Sequence, residues 1–164
     1  MKPKSKYSHP DFQFVSFSLS SLEFGLDVRD VKEIIRLGEI ERPSGAPAFL
    51  EGFLRLRTIL VPLIDLRKRF SLPTPMNDET RVIICLMEAR IAGLAVDEVT
   101  DIAAGGHEAG SKPYEGPWAG CVDAVIETRQ GPVRIINLKR LLSAEEKGYL
   151  SGPIDDIKGD LEAD

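Results

Sequence analysis

Apolar positions along this chain come in short runs that turn-forming residues keep interrupting. Such runs favour strands over long helices. Residues 12–19, "FQFVSFSL", predict a strand, Ser20 and Ser21 a turn, and residues 23–28 a returning strand. Residues 29–36 predict a helical turn that passes into a strand. Residues 41–49 hold two prolines and a glycine and predict a loop. Two strands follow at 52–57 and 58–64, and Pro62, which has no N–H, marks an edge or a bulge. Asp65 is placed to cap a short helix over 65–70. After a polar linker at 71–80, residues 81–87 and 91–99 predict a second hairpin joined at 88–90. Residues 101–120, rich in glycine, show the least regular pattern. Residues 121–138 predict two strands turning at Gln130 and Gly131. Ser143 and Glu146 have capping-box spacing, so a last short helix starts there.

The pattern amounts to roughly nine or ten short strands with a few short helices, as small barrels or a sandwich would give. No long amphipathic helix is present to cover a parallel sheet, which argues against a doubly wound fold. The fold class expected is therefore all-β with short helices.

Length and composition narrow the function. The chain has 164 residues, 43% of them hydrophobic, and a formal charge of −5. That suits one domain or two intimate subdomains, and it argues against a broad basic face for nucleic acid. The polar leader over 1–11 lacks the apolar core of a signal peptide, and no run approaches a membrane span. A cytoplasmic protein is expected, with a flexible leader and a flexible acidic tail over 151–164.

Candidate chemistry is sparse. Cys85 lies in the apolar run "RVIICLME" and reads as a core residue, and neither it nor Cys121 has zinc-site spacing. His9 falls in the leader and His107 in the glycine-rich segment, each without a recognisable nucleophile. Asp65, Asp97 and Glu98 end apolar strands, where capping explains Asp65 and strand closure Asp97. Trp118 reads as packed over a barrel end. "RKRF" (67–70) is the one basic and aromatic cluster. No catalytic, cofactor or metal site is expected.

"RLRTILVPLI" (55–64) is more informative. Arg55 and Arg57 are two apart and would share a strand face. The following run is apolar at nearly every position, so it must be covered on both sides. It is either a core strand with a charged rim or the floor of a groove edged by guanidinium groups.

The longer stretch "PAFLEGFLRLRTILVPLIDLRKRF" resembles the central signature of the CheW family of chemotaxis adaptors. Pro47, Phe49, Gly52, Leu56, Arg57, Pro62, Asp65, Leu66, Arg67 and Phe70 carry the resemblance. "SLEFGLDVRDVKEIIR" upstream, "IAGLAVDEVTDI" downstream and "RIINLKRLLSAEE" near the end are similar to further family motifs. The likeness spans about residues 12–147.

It implies two five-stranded SH3- or OB-like β-barrel subdomains within 12–150, the second roughly 81–134, with terminal strands crossing over. It implies a non-enzymatic adaptor that couples a CheA-type histidine kinase to the cytoplasmic tips of methyl-accepting receptors, recruited to arrays at the inner face of the membrane. Arg57, Arg55, Val61 and Leu63 would form the receptor and kinase groove, and Val31 and Glu33 a kinase-facing surface on the first barrel. Arg55 and Thr58 depart from the family's Asn and Gly, so a changed turn and a changed receptor choice are expected. An adaptor of a pilus or developmental pathway is the alternative, and a small-barrel nucleic-acid binder a more distant one.

Overall fold

A computed structural model describes residues 6–9, 11–73, 76–104 and 111–150. Twelve strands form two six-stranded sheets among these residues. They are β1 (Gln13–Leu19), β2 (Leu22–Asp27), β3 (Val31–Arg36), β4 (Ile40–Glu41), β5 (Gly52–Leu56), β6 (Ile59–Asp65), β7 (Arg81–Met87), β8 (Arg90–Val96), β9 (Glu98–Ala104), β10 (Ser111–Pro113), β11 (Val122–Thr128) and β12 (Gly131–Ile136). Two α-helices, α1 (Leu66–Arg69) and α2 (Ala144–Leu150), are joined by short 3-10 turns at Lys6–Ser8, Val28–Asp30 and Leu138–Arg140.

The first sheet runs β10-β11-β12-β2-β1-β9 and the second β3-β7-β8-β6-β5-β4. Reversing the second shows a common plan. Each sheet joins a hairpin, β1–β2 or β7–β8, to four strands from the other half of the chain. The join is parallel in both, β2 to β12 and β8 to β6. The two halves thus exchange their opening hairpins. Local sequence repeats accordingly: "GLDVRDV" from Gly25 matches "GLAVDEV" from Gly93, and "LIDLRKR" from Leu63 matches "IINLKRL" from Ile135.

This corrects the expected division. Residues 81–134 do not make one subdomain, because β7 and β8 pair within the sheet of β3–β6. The chain crosses between sheets at Asp97, so the span read as one strand over 91–99 is the end of β8 and the start of β9. Strand β9 pairs with β1, within a segment that the glycine content had made look irregular. Each subdomain has six strands, and the described edge strands do not pair to close a barrel.

Four apolar clusters follow from this arrangement, the smallest being Leu50, Phe53 and Leu60 under Tyr149 and Leu150. Phe14, Ala124, Ile126, Val133 and Ile135 fill the first sheet's concave side. Leu54, Val61, Leu63, Val82, Ile84 and Ala95 fill the second's. Between the sheets lies the largest, with Phe17, Phe24 and Leu26 meeting Ile64, Phe70, Ile83, Cys85 and Leu94. Strand β6 is therefore apolar on both faces, since Val61 and Leu63 join the second sheet's own cluster and Ile64 joins the seam. Trp118 closes the seam's end, packing on Phe24 and Phe70 and donating its indole N–H to the Phe70 carbonyl at 3.1 Å.

A buried ion cluster crosses the seam beside this core. Arg67, fully buried, donates to Asp65 at 3.2 Å and to Asp97 at 2.6 Å. Asp97 also accepts from the Ser20 backbone N–H at 2.6 Å. One guanidinium thus ties α1 in the second sheet's subdomain to the β1–β2 turn in the first. Asp65 caps α1 as expected, its carboxylate accepting from the Arg67 N–H at 3.0 Å.

Candidate protein-binding cleft

Strands β6 and β8 pair in parallel only from Leu63, Ile64 and Asp65 to Gly93, Leu94 and Ala95. Upstream they splay. Pro62 lies where the splay begins, with a ladder partner on the β5 side alone. Its missing N–H therefore costs no bond to β8, although β6 itself lies inside the sheet.

The splay opens a cleft of about 620 Å³. Ile59, Leu60 and Pro62 of β6 form one wall, and Ile91 and Ala92 of β8 the other. Leu138, Leu142 and Leu150, from the helical end of the chain, supply a third wall. The lining is mainly apolar, with Glu88, Arg90 and Lys147 at its edge. The Lys147 ammonium donates to Glu88 at 2.9 Å. Ile59 is 45% exposed, one of few large apolar side chains so placed.

The candidate residues distribute around this cleft unevenly. Val61 and Leu63 are fully buried in the second subdomain's apolar cluster, and Val61 also borders the cleft. The cleft takes the successive residues Ile59, Leu60, Val61 and Pro62 at the start of the strand, so it meets β6 at its splayed end and not along one face. Arg57 sits in the two-residue β5–β6 turn beside the cleft residues Thr58 and Ile59. It does not share a strand with Arg55, so the expectation of a common face does not hold. In that turn the left-handed backbone falls on Arg57, at φ 57°, and not on Thr58.

Arg57 donates to Glu33 of β3 at 3.0 Å. The arginine expected in the groove and the glutamate expected on the other surface thus form one ion pair. The pair bridges from the β5–β6 turn to the opposite edge strand, where hydrogen-bonded pairing is absent. The other Glu33 carboxylate oxygen is buried without a hydrogen-bond partner. Val31, half-buried, begins β3 two residues earlier. Arg55 reaches Glu41 of β4 at 3.3 Å.

No set of groups converges for chemistry here. Asp65 and Asp97 are consumed by Arg67. Cys85 is buried, and burial pushes its thiol up to about 12. His9 is exposed beside Asp11, and His107 lies outside the described residues, as does the expected tail over 151–164. The "RKRF" cluster does not form a basic surface. Arg67 is buried, Lys68 pairs with Glu51, and Arg69 pairs with Glu146 at 2.6 Å. Among the described residues no group of acidic, histidine and cysteine side chains could hold a metal ion, and no helix is long and apolar enough to cross a membrane.

Comparison with known proteins gives a consistent answer. Residues 13–146 match the CheW-like domain family. The chemotaxis protein CheW of Treponema pallidum is 28% identical over 82% of this chain and 84% of its own. That of Klebsiella aerogenes is 36% identical, over 55% of each chain, so this alignment spans about half that relative's length. A solved structure of the scaffolding protein TtCheW from Thermoanaerobacter tengcongensis superposes with a TM-score of 0.74 at 30% identity, covering 82% of this chain and 94% of that one. On the extent of the family match and the shared two-subdomain β fold, the chain belongs to the CheW-like domain family.

Proposed function

We propose that the protein is a non-enzymatic adaptor that couples a CheA-type histidine kinase to the cytoplasmic tips of methyl-accepting receptors, and that receptors recruit it to arrays at the inner face of the membrane. The observation that carries this reading is the apolar cleft between β6 and β8. It has walls from both halves of the fold and no reactive group within it. A cleft of that composition suits an amphipathic helix laid apolar side down. A receptor's helical tip has that form.

The kinase would meet a different face. Val31, Glu33 and exposed Ile34 lie on β3, an edge strand with unpaired backbone groups. The Arg57–Glu33 pair lies between this edge and the cleft lip, so one partner's docking would be felt at the other's boundary. Charged pairs at such a rim set register and partner choice more than affinity.

The test is co-sedimentation of the protein with receptor-tip segments and kinase. The reading expects the kinase to pellet with receptors only when this protein is present. Kinase pelleting that is indifferent to the protein would refute it.

A further inference from the structure

The internal repeat holds a second version of the cleft's frame. Gly25 corresponds to Gly93, and Ile135 to Leu63, and these residues pair in the two parallel ladders. One step upstream, Arg134 pairs with Phe24 in the first sheet. The corresponding residues Pro62 and Ala92 do not pair, and both line the cleft. Proline brings no N–H, so the ladder ends a step sooner there. By the same correspondence, the wall residues Leu138 and Leu142 match Leu66 and Phe70 at α1. The twin space in the first subdomain is full. Phe24 stands where the cleft has Ala92, fully buried, with its ring 5.3 Å from that of Phe70. Trp118 packs on both rings, at 5.6 and 5.3 Å. Arg134 lies over the Phe24 ring at 5.8 Å and donates to the Glu23 carbonyl at 3.4 Å. The loop before β5 takes the place in the chain that the Trp118 loop takes before β11. Its ring, Phe49, turns to Tyr149 at 6.2 Å and does not line the cleft. The open cleft thus has the frame of its twin without the aromatic filling.

We propose that the β6–β8 cleft is completed by an aromatic side chain of the partner helix, which enters it as the chain's own Trp118 enters the twin space. The inference rests on the reading of the cleft as the partner site and names the anchor that the site selects. Ala92 and Pro62 leave open the room that Phe24 and Arg134 occupy in the twin. A ring fills such a space with large apolar area while only two side-chain torsions are fixed. Phe53 lines the cleft and gives the incoming ring an aromatic neighbour. Anchors of this kind carry most of the binding energy of an interface when they enter a desolvated pocket. The twin space, already filled from within, offers no second seat, so each chain takes one anchor.

The test titrates the full chain with N-acetyl-tryptophan amide and with N-acetyl-leucine amide, and reads the methyl resonances of Ile91, Leu142 and Leu150. The tryptophan amide is expected to give saturable ring-current shifts at these methyls, and the leucine amide to bind about fivefold more weakly. No shift, or equal binding of the two amides, would overturn the proposal. Ala92→Phe, which installs the twin's ring, is expected to abolish the tryptophan response, and an undiminished response in a folded variant would overturn the proposal as well. If that variant does not fold, the wild-type titration decides. In a second arm, each aromatic residue of a receptor-tip segment is replaced by leucine in turn. One replacement is expected to weaken binding about tenfold. A tip that binds equally well after every replacement would sink the anchor and leave the adaptor reading standing. A tip that binds in no form counts against the adaptor reading, while the amide titration still judges the cleft's preference for a ring.

Discussion

At the residue scale, Arg57 carries the clearest separation of binding from stability. Its guanidinium is largely exposed and meets a partly exposed Glu33. Exposed pairs of this kind contribute about 0–1 kcal/mol. Arg57→Glu is therefore expected to leave the melting temperature within a few degrees of wild type while weakening co-assembly with receptor and kinase about tenfold. A melt that collapses alongside binding would make Arg57 structural. Glu146 behaves differently. The hydrogen bonds that Arg69 donates hold its carboxyl below the ordinary 4.5. A depressed folded-state value stabilises above the ordinary one and is lost as pH falls through the folded one. The stability gap between wild type and Glu146→Gln should thus be fullest at neutral pH and close under acid, as thermal melts across that range can show. Sequence had marked Glu146 only as half of a capping box. That box is present, with Ser143 N–H donating to Glu146 at 2.8 Å and the reciprocal bond at 3.1 Å. The partner Arg69 lies 77 residues away and no local pattern announces it.

At the element scale, the splayed β6–β8 pair creates the site, and Gly52 shapes the sheet on its other side. Its φ of 150° suits glycine, and an added Cβ would stand 2.5 Å from an Ile40 methyl and 2.6 Å from the Glu41 carbonyl oxygen. Backbone cannot yield as a side-chain tip can. Gly52→Ala should therefore cost at least about 2 kcal/mol and loosen β4 from β5. Chemical denaturation gives the first, and amide exchange at Ile40 and Leu54 the second. A neutral substitution would mean that the β4–β5 contact is dispensable. Local strand and turn reading succeeded where the pattern was local. Ser20 and Ser21 form the expected turn, both with positive φ, as hairpins of that length require. The same reading failed where pairing partners are remote. Strand β4 is two residues long and exists only through β5, and β9 crosses to β1 after a single residue, Asp97.

At the scale of the whole molecule, the exchanged hairpins explain why the two subdomains act as one unit, and Arg67 is the residue that ties them. Its removal leaves Asp65 and Asp97 as uncompensated charges near or within the seam, a change that costs about 3–5 kcal/mol. Arg67→Ala is expected to lower stability by that amount. Leu60 should stay paired with Arg55 and Ile91 with Leu86 in the second sheet, which amide exchange can verify. A loss under about 1 kcal/mol would show that the apolar seam alone holds the halves together. The fold class and the doubly covered β6 strand were legible from the chain, because alternation and turn residues are written locally. The hairpin exchange was not, because "GLDVRDV" and "GLAVDEV" reveal a repeat without saying which half each hairpin joins. The cleft was hidden for the same reason, since a strand apolar on both faces does not say where it splays from a remote neighbour. The central claim is that this cleft grips another protein, and Ile59, exposed at its lip, is where that claim is most exposed to test. Co-sedimentation with receptor tips and kinase, run on wild type and Ile59→Asp in parallel with thermal melts, measures it directly. The account predicts that wild type pellets with both partners and that Ile59→Asp melts normally yet binds about tenfold more weakly. Equal co-sedimentation of the two proteins would contradict it.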